Sequence, residues 1–212
     1  MKVAKNELVR YTDGTRLNHW FGAVLFICAA LSGLAFFTPF FFPLTNLFGG
    51  GQWTRILHPF FGVVAALSFL GMFIRLHHEN RMDKADREWL EATPKLIAGH
   101  EEQMPPVGRN NAGQKLVFWV MAFGLLVLVI TGFMFWQPWF AGLFPIPLIR
   151  AASLIHSIAA FVVIITLIVH IYAGIWVRGS MHAMIRGTVT KAWARTHHPL
   201  WWREEVEPRH KQ

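Results

Sequence analysis

The chain alternates long apolar runs with shorter polar connections. Four runs of about 20 residues, the length that crosses a bilayer as an α-helix, cover residues 19–42, 57–76, 116–136 and 151–177. Pro39 and Pro43 end the first run, since proline cannot continue a helix ladder. The pattern predicts an all-α integral membrane protein, a four-helix bundle that forms a single membrane domain over residues 1–212.

Two polar segments also carry helical patterning. Residues 83–98 predict a short helix at the membrane surface. In the tail, residues 178–212, apolar positions recur at roughly helical spacing between residues 180 and 195. This spacing predicts a C-terminal amphipathic helix that lies on the cytoplasmic face of the membrane.

Basic residues are distributed very unevenly along the chain. Of the 20 Lys and Arg residues, 17 lie before the first run, between the second and third, or after the fourth, and Arg75 lies at the end of the second run beside that connection. Four spans place those three segments on one side, and only Arg55 and Arg150 lie on the other. The positive-inside rule therefore predicts a multi-pass membrane protein with both termini in the cytoplasm. The net charge of +8 is explained by the basic residues that lie beside membrane lipid on the cytoplasmic side. Nucleic-acid binding is therefore not expected.

The cysteine count excludes several kinds of centre. Cys28 is the single cysteine and lies inside an apolar run, so the chain has no internal disulfide, cysteine zinc site or iron–sulfur cluster of its own. No C-x-x-C-H motif is present. Any haem must therefore be held by axial ligands and packing.

Four histidines lie within the predicted spans, where ligand-capable side chains are costly and usually functional. They are His19, His58, His156 and His170. The last two are 14 residues apart on one predicted helix, which returns them to within roughly 40° of the same face with a rise of about 21 Å. His58 matches the depth of His156, and His19 matches that of His170. Two bis-histidine haem b sites stacked across the membrane are the expected arrangement.

Two other interpretations of these histidines were weighed. An intramembrane histidine can simply form hydrogen bonds between helices, although four histidines paired by depth disfavour this. A histidine-lined metal or proton transporter should contain intramembrane acids, and the spans contain none. The remaining histidines are expected at the surface or in solvated segments: His77, His78, His100, His182, His197, His198 and His210. Gly33, Gly62, Gly132 and Gly174 could admit a porphyrin or allow close helix packing.

Several motifs together resemble the cytochrome b (gamma) subunit of bacterial respiratory formate dehydrogenases. They are NHW entering the first span, LHPFFGV entering the second, RLHHEN leaving it, NNAGQKLVFW entering the third, LIHSIAAFVVIITLIVHIYAGIWVRG through the fourth, and AWARTHHPLWWRE in the tail. The resemblance covers essentially the whole chain. Related subunits of nickel–iron hydrogenases and other quinone-linked periplasmic oxidoreductases share the general design and are the main alternative.

The resemblance implies an electron-transfer and quinone-reducing subunit with no formate-oxidising site of its own. Its partners would be an iron–sulfur beta subunit and a molybdenum- or tungsten-containing alpha subunit, both periplasmic. His58 and His156 would ligate the periplasmic haem, and His19 and His170 the cytoplasmic haem. Near the latter, Asn111, Gly113 and Gln114 would bind menaquinone or ubiquinone. The alternative for these three residues is that they cap the third span.

Overall fold

The computed structural model describes residues 4–177 and 179–207. Four helices in it are long and apolar enough to cross a membrane. They are α1 (Asp13–Phe37), α2 (Gly51–Leu76), α5 (Ala112–Phe135) and α6 (Ile146–Trp176). The predicted all-α membrane architecture with four spans is confirmed.

The ends of the long helices differ from the predicted limits. Each helix begins four to six residues earlier, at residues 13, 51, 112 and 146, because helical backbone hydrogen bonding extends beyond the predicted apolar run. The first helix ends at Phe37, and Pro39–Phe48 forms a 3₁₀ helix that contains both prolines. Pro59 consequently lies inside α2.

The polar elements are shorter. The predicted surface helix at 83–98 forms as two pieces, α3 (Lys84–Glu91) and α4 (Thr93–Ile97), with Pro94 in the first turn of the second. The tail contains α7 (Ser180–Arg186), α8 (Lys191–His197) and α9 (Pro199–Trp201), followed by a π-helical turn over Trp202–Val206. Strands β1 (Glu7–Val9) and β2 (Thr188–Thr190) pair antiparallel, with Leu8 opposite Val189.

The predicted continuous amphipathic helix over residues 180–195 is wrong. Gly187 adopts φ +83° after α7, a left-handed conformation that glycine tolerates and that ends helices. The chain then pairs as β2 before Thr190 caps α8, its side-chain oxygen accepting the Trp193 N–H at 3.1 Å. Apolar spacing alone does not reveal that Gly187 ends the helix or that the β-branched residues after it favour a strand. Arg178 and residues 208–212 of the predicted tail lie outside the described residues.

Contacts divide the chain into two compact units. The span unit comprises residues 17–74 and 120–169. The polar unit comprises the described residues of 1–16, 75–119 and 170–212.

Small and polar side chains join helices within the span unit. The Asn18 side-chain amide on α1 donates to the Ser68 carbonyl on α2 at 2.8 Å, and the Ser68 hydroxyl lies 3.1 Å from both the Asn18 carbonyl and its side-chain oxygen. Gly124 on α5 faces the buried Val163 of α6 so closely that a Cβ would clash with it. Large apolar side chains remain on the outside, for example Phe161 with 64% exposure, as expected of a surface solvated by lipid.

The polar unit has a small core of its own. It contains Trp201, Trp202, Val206, Val189, Ala183 and Ala194. Arg10 is 3% exposed and lies against the Trp193 and Trp201 rings, 5.3 and 5.0 Å from their centroids. It donates to the Arg109 carbonyl at 2.6 Å, and Arg109 donates back to the Arg10 carbonyl at 2.7 Å. These contacts fasten residues from three distant parts of the sequence to each other.

Candidate functional site

The two histidines predicted to share an iron lie side by side in the span unit. The imidazole rings of His58 on α2 and His156 on α6 have centroids 6.3 Å apart and planes inclined by 70°. Both residues are half-buried, and Phe135 packs its ring edge to face with His156 at 5.1 Å. We call His58 and His156 the histidine pair.

Each ring of the pair is held by a hydroxyl from the helix that precedes its own in the chain. The Ser32 oxygen of α1 lies 2.9 Å from His58 Nδ1. The Thr131 oxygen of α5 lies 3.0 Å from His156 Nδ1. The two arrangements are equivalent, because a serine or threonine precedes its histidine by 26 and 25 residues respectively.

A glycine follows each of these hydroxyl residues and faces the same ring. A Cβ built on Gly33 would lie 3.1 Å from His58 Cε1, and one built on Gly132 would lie 3.4 Å from His156 Cε1. Of the four glycines noted in the sequence, these two therefore admit an imidazole to the helix backbone. Gly62 and Gly174 have no described atom within 4 Å of a built Cβ.

The residues of the pair fit a haem. Two imidazoles on opposite faces of one iron, each with a metal–nitrogen bond of about 2 Å, bring their ring centroids roughly 6 Å apart. The observed 6.3 Å matches this separation. The hydroxyls occupy Nδ1 on both rings, so Nε2 is the nitrogen left for the metal.

The other two predicted ligands belong to different compact units. His19 is the seventh residue of α1 and is half-buried in the span unit, with the Trp20 ring packed edge to face at 5.3 Å. His170 lies on α6 in the polar unit, six residues before the end of that helix. Their sharing of an iron stays a prediction.

His78, His100 and His182 are exposed, as predicted, whereas His77 and His197 are half-buried. The His77 and His78 rings lie in a 3₁₀ turn with centroids 3.8 Å apart and planes inclined by 40°. His210 lies outside the described residues.

The expectation that His198 is a surface residue is wrong. It is 4% exposed, with Nδ1 2.8 Å from the Gly108 carbonyl and Nε2 3.4 Å from the Arg10 guanidinium. Burial, and secondarily the Arg10 charge, lower its pKa to about 3. Its position depends on an arginine 188 residues earlier in the chain, which sequence spacing in the tail does not reveal.

The three predicted quinone residues lie at the start of α5. The Asn111 N–H donates to Gln114 Oε1 at 3.1 Å, and the Gln114 N–H donates to Asn111 Oδ1 at 2.9 Å. This reciprocal pair is a capping box, so the capping alternative holds for both side-chain oxygens. The two NH₂ groups take no part in these bonds. A Cβ on Gly113 would lie 3.3 Å from the Trp89 ring.

A cavity of about 420 Å³ lies beside this helix start in the polar unit. Trp89, Asn110 and Lys115 line it, together with Gly108, Arg109 and Leu200. Asn111, Gly113 and Gln114 are not among its lining residues.

Comparison with known proteins places the chain in a family. The model of the prokaryotic cytochrome b561 family matches residues 10–187. The chain belongs to this family. Its members are integral membrane helical bundles, and membership implies a haem b cofactor, which the histidine pair fits.

Three relatives refine the comparison. The formate dehydrogenase cytochrome b556(fdo) subunit of Escherichia coli K12 is 46% identical over 200 residues, 94% of each chain. The cytochrome b556(Fdn) subunit of the nitrate-inducible formate dehydrogenase of that strain is 42% identical over 197 residues, covering 93% of this chain and 91% of the relative. The corresponding subunit of Haemophilus influenzae is 35% identical over 199 residues, with 94% and 84% covered. The resemblance inferred from the sequence motifs is confirmed.

Ser32 and Thr131 are not among the site residues predicted from the sequence. Serine and threonine in membrane helices usually satisfy themselves on their own backbone, so neither attracts notice alone. The sequence feature that could have identified them is a hydroxyl residue followed by glycine, Ser–Gly in the first span and Thr–Gly in the third. The hydroxyl residue lies 26 or 25 residues before a span histidine.

Proposed function

We propose that this cytochrome b561 family member is the cytochrome b subunit of a respiratory formate dehydrogenase. In this function it carries electrons from a periplasmic iron–sulfur subunit to quinone near the cytoplasmic side, while a molybdenum or tungsten subunit oxidises formate. The observation that carries the proposal is the histidine pair at 6.3 Å, set in a chain 46% identical over 94% of its length to a formate dehydrogenase cytochrome subunit.

Two haems are proposed. When bound, haem b would supply a one-electron carrier, and two histidines for each haem would leave its iron no position for oxygen or substrate. His58 and His156 hold the periplasmic one, and Ser32 and Thr131 fix the two rings. His19 and His170 hold the cytoplasmic one. The second pairing is supported by the placement of His156 and His170 on the single continuous helix α6.

Orientation of the chain determines the direction of this transfer. We place both termini in the cytoplasm, as in a protein of the bacterial inner membrane, because 18 of 20 Lys and Arg residues share one side of a four-span topology. His58 then lies toward the periplasm, where electrons enter. Quinone takes up its protons from the cytoplasm at the other end, so charge crosses the membrane without a proton channel.

Quinone is proposed to bind at the start of α5. The Asn111 and Gln114 side chains use their oxygens in the capping box, which leaves NH₂ groups of the correct polarity to donate to a quinone carbonyl. Gly113, packed against Trp89, keeps this surface free of a side chain.

The haem assignment is tested by substitution in the purified complex. Haem per chain and the reduced-minus-oxidised spectrum should show two b-type haems, and His58→Ala and His156→Ala should each lose the same one. His77→Ala and His78→Ala are matched controls from the polar unit and should keep both. A complex without haem, or loss of a haem in either control, would contradict the assignment.

The quinone site is tested by separating capping from hydrogen bonding to quinone. Asn111→Ser keeps an oxygen that can cap the helix but removes the carboxamide. We expect normal haem content and dye-linked formate oxidation, because dyes accept electrons upstream, together with quinone reduction slowed at least tenfold. Normal quinone turnover in this variant would leave Asn111 with capping as its only role.

A further inference from the structure

The hydrogen bonds of Ser32 and Thr131 fix where the protons lie at the histidine pair. A hydroxyl has a single proton to donate. The Ser32 oxygen lies 2.6 Å from the Cys28 carbonyl, and the Thr131 oxygen lies 2.6 Å from the Val127 carbonyl. A carbonyl cannot donate, so each hydroxyl donates its proton to the carbonyl four residues earlier in its own helix.

The imidazoles must then be the donors in the remaining contacts. Nδ1 of His58 and Nδ1 of His156 lie 2.9 and 3.0 Å from these hydroxyl oxygens. With the hydroxyl protons committed, each Nδ1 carries a hydrogen that the hydroxyl oxygen accepts. Each ring is therefore held as the neutral tautomer with its lone pair on Nε2, which is the form that binds a metal.

We propose that Ser32 and Thr131 are positioning residues that fix the tautomer and orientation of His58 and His156 and thereby set the reduction potential of the haem they hold. This inference rests on the proposed function of the pair. A hydrogen bond accepted from the second nitrogen raises the basicity of a metal-bound imidazole. A more basic ligand stabilises the oxidised iron over the reduced iron, so both hydroxyls lower the potential of this haem.

The adjacent glycines make this contact possible. A Cβ at position 33 would lie only 3.1 Å from His58 Cε1 and would push that ring away from its hydroxyl, whereas one at position 132, 3.4 Å from His156 Cε1, would lie at the limit of ordinary contact. The serine or threonine thus supplies the acceptor, and the glycine supplies the space for the ring to reach it. The same two-residue unit on α1 and on α5 serves opposite faces of one site.

Thr166 on α6 offers a matched control. Its hydroxyl donates to the Val162 carbonyl at 2.8 Å, also four residues back. Among the hydrogen bonds found in the described part of the chain, none joins it to an imidazole. Thr166→Val therefore removes the same helix bond as Thr131→Val without touching the histidine pair.

The test is a redox titration of the purified complex, followed at the visible haem bands, with haem per chain measured separately. Ser32→Ala and Thr131→Val should each move the midpoint of the same haem upward and leave the other midpoint unchanged. A net hydrogen-bond contribution near 1 kcal/mol corresponds to a roughly three- to tenfold change in the oxidised-to-reduced ratio at fixed applied potential. A tenfold change equals about 59 mV for one electron. Thr166→Val should move neither midpoint.

The conservative variants guard against misfolding. If Ser32→Ala or Thr131→Val loses the haem, restoration of haem and potential in Ser32→Thr or Thr131→Ser supports the positioning role. Unchanged midpoints in haem-bearing Ser32→Ala and Thr131→Val would overturn it, and so would a haem loss that neither conservative variant repairs. Retention of both haems in His58→Ala would instead refute the proposed haem assignment, and the two failures are therefore distinguishable.

Discussion

Removal of the buried ion pair between Lys115 and Asp86 should weaken the polar unit. The two side chains are 9% and 7% exposed, and Nζ lies 2.7 Å from Oδ2. Asp83, a second partner at 3.3 Å, is 60% exposed. Lys115→Met keeps the aliphatic stem but leaves the Asp86 carboxylate buried without a counter-ion, and breaking a buried pair in this way costs about 3–5 kcal/mol.

The Asp86 carboxylate keeps one bond in the variant, from the Asp83 N–H at 2.8 Å, so the lower end of that range applies. About 3 kcal/mol corresponds to roughly a hundredfold increase in the open population. Hydrogen–deuterium exchange of the α3 amides in the full-length purified protein measures this local opening. We expect them to exchange about two orders of magnitude faster in Lys115→Met.

A second variant distinguishes the cost of leaving the Asp86 carboxylate without a counter-ion from the cost of lost packing around Lys115. Asp86→Asn added to Lys115→Met keeps an oxygen for the Asp83 N–H and removes the uncompensated charge, so most of the protection should return. Asp83→Asn alone should change exchange little, because exposed ion pairs contribute less than about 1 kcal/mol. Unaltered α3 exchange in Lys115→Met would refute the claim that this pair holds α3 to α5.

Three further predictions concern other parts of the chain. Since the pKa of His198 is about 3 in the folded protein and near 6.5 when unfolded, the unfolded state alone gains a proton as pH falls below 6.5. The tail should then lose stability by up to about 1.4 kcal/mol per pH unit, measured by amide exchange, and His198→Gln should flatten this dependence. Gly33→Ala should lower occupancy of the haem held by His58 in pyridine haemochrome assays, whereas Gly71→Ala, whose Cβ would meet its nearest neighbour at an ordinary 3.5 Å, should not. A C-terminal reporter active only in the periplasm should be silent, and activity would reverse the proposed orientation.

The spans were predictable because membrane crossing depends on local composition. Twenty apolar residues in sequence suffice to identify a helix, so all four spans were found and only their ends were misplaced. The ends depend on backbone hydrogen bonding into polar residues such as Asp13 and Gly51, which hydropathy does not register. The tail was mispredicted for a related reason: helical spacing was visible, but pairing of Thr188–Thr190 with Glu7–Val9 depends on residues 180 positions away.

The candidate site also contains some residues that local sequence reveals and others that depend on contacts between distant parts of the chain. That His58 and His156 lie side by side could be predicted because ligand-capable side chains are rare in apolar spans; their role as haem ligands stays a prediction. Ser32 and Thr131 were not predicted, since a hydroxyl bonded only to its own helix and one that also accepts from an imidazole look identical in sequence. Only the recurrence of Ser–Gly and Thr–Gly before a span histidine marks them. His198 was misjudged because a histidine among basic and aromatic residues resembles a surface residue until Arg10 is placed beside it.

The arrangement of the histidine pair has a consequence for how the protein is made. Ser32, Gly33 and His58 lie within the first two spans, and Thr131, Gly132 and His156 lie within the last two. Each helical hairpin therefore carries one histidine of the pair together with the hydroxyl and the glycine that contact its ring. The two histidines can meet only after the fourth helix has entered the membrane. The proposed haem site therefore needs both hairpins, and a chain that ends before residue 156 would hold only one of its two histidines.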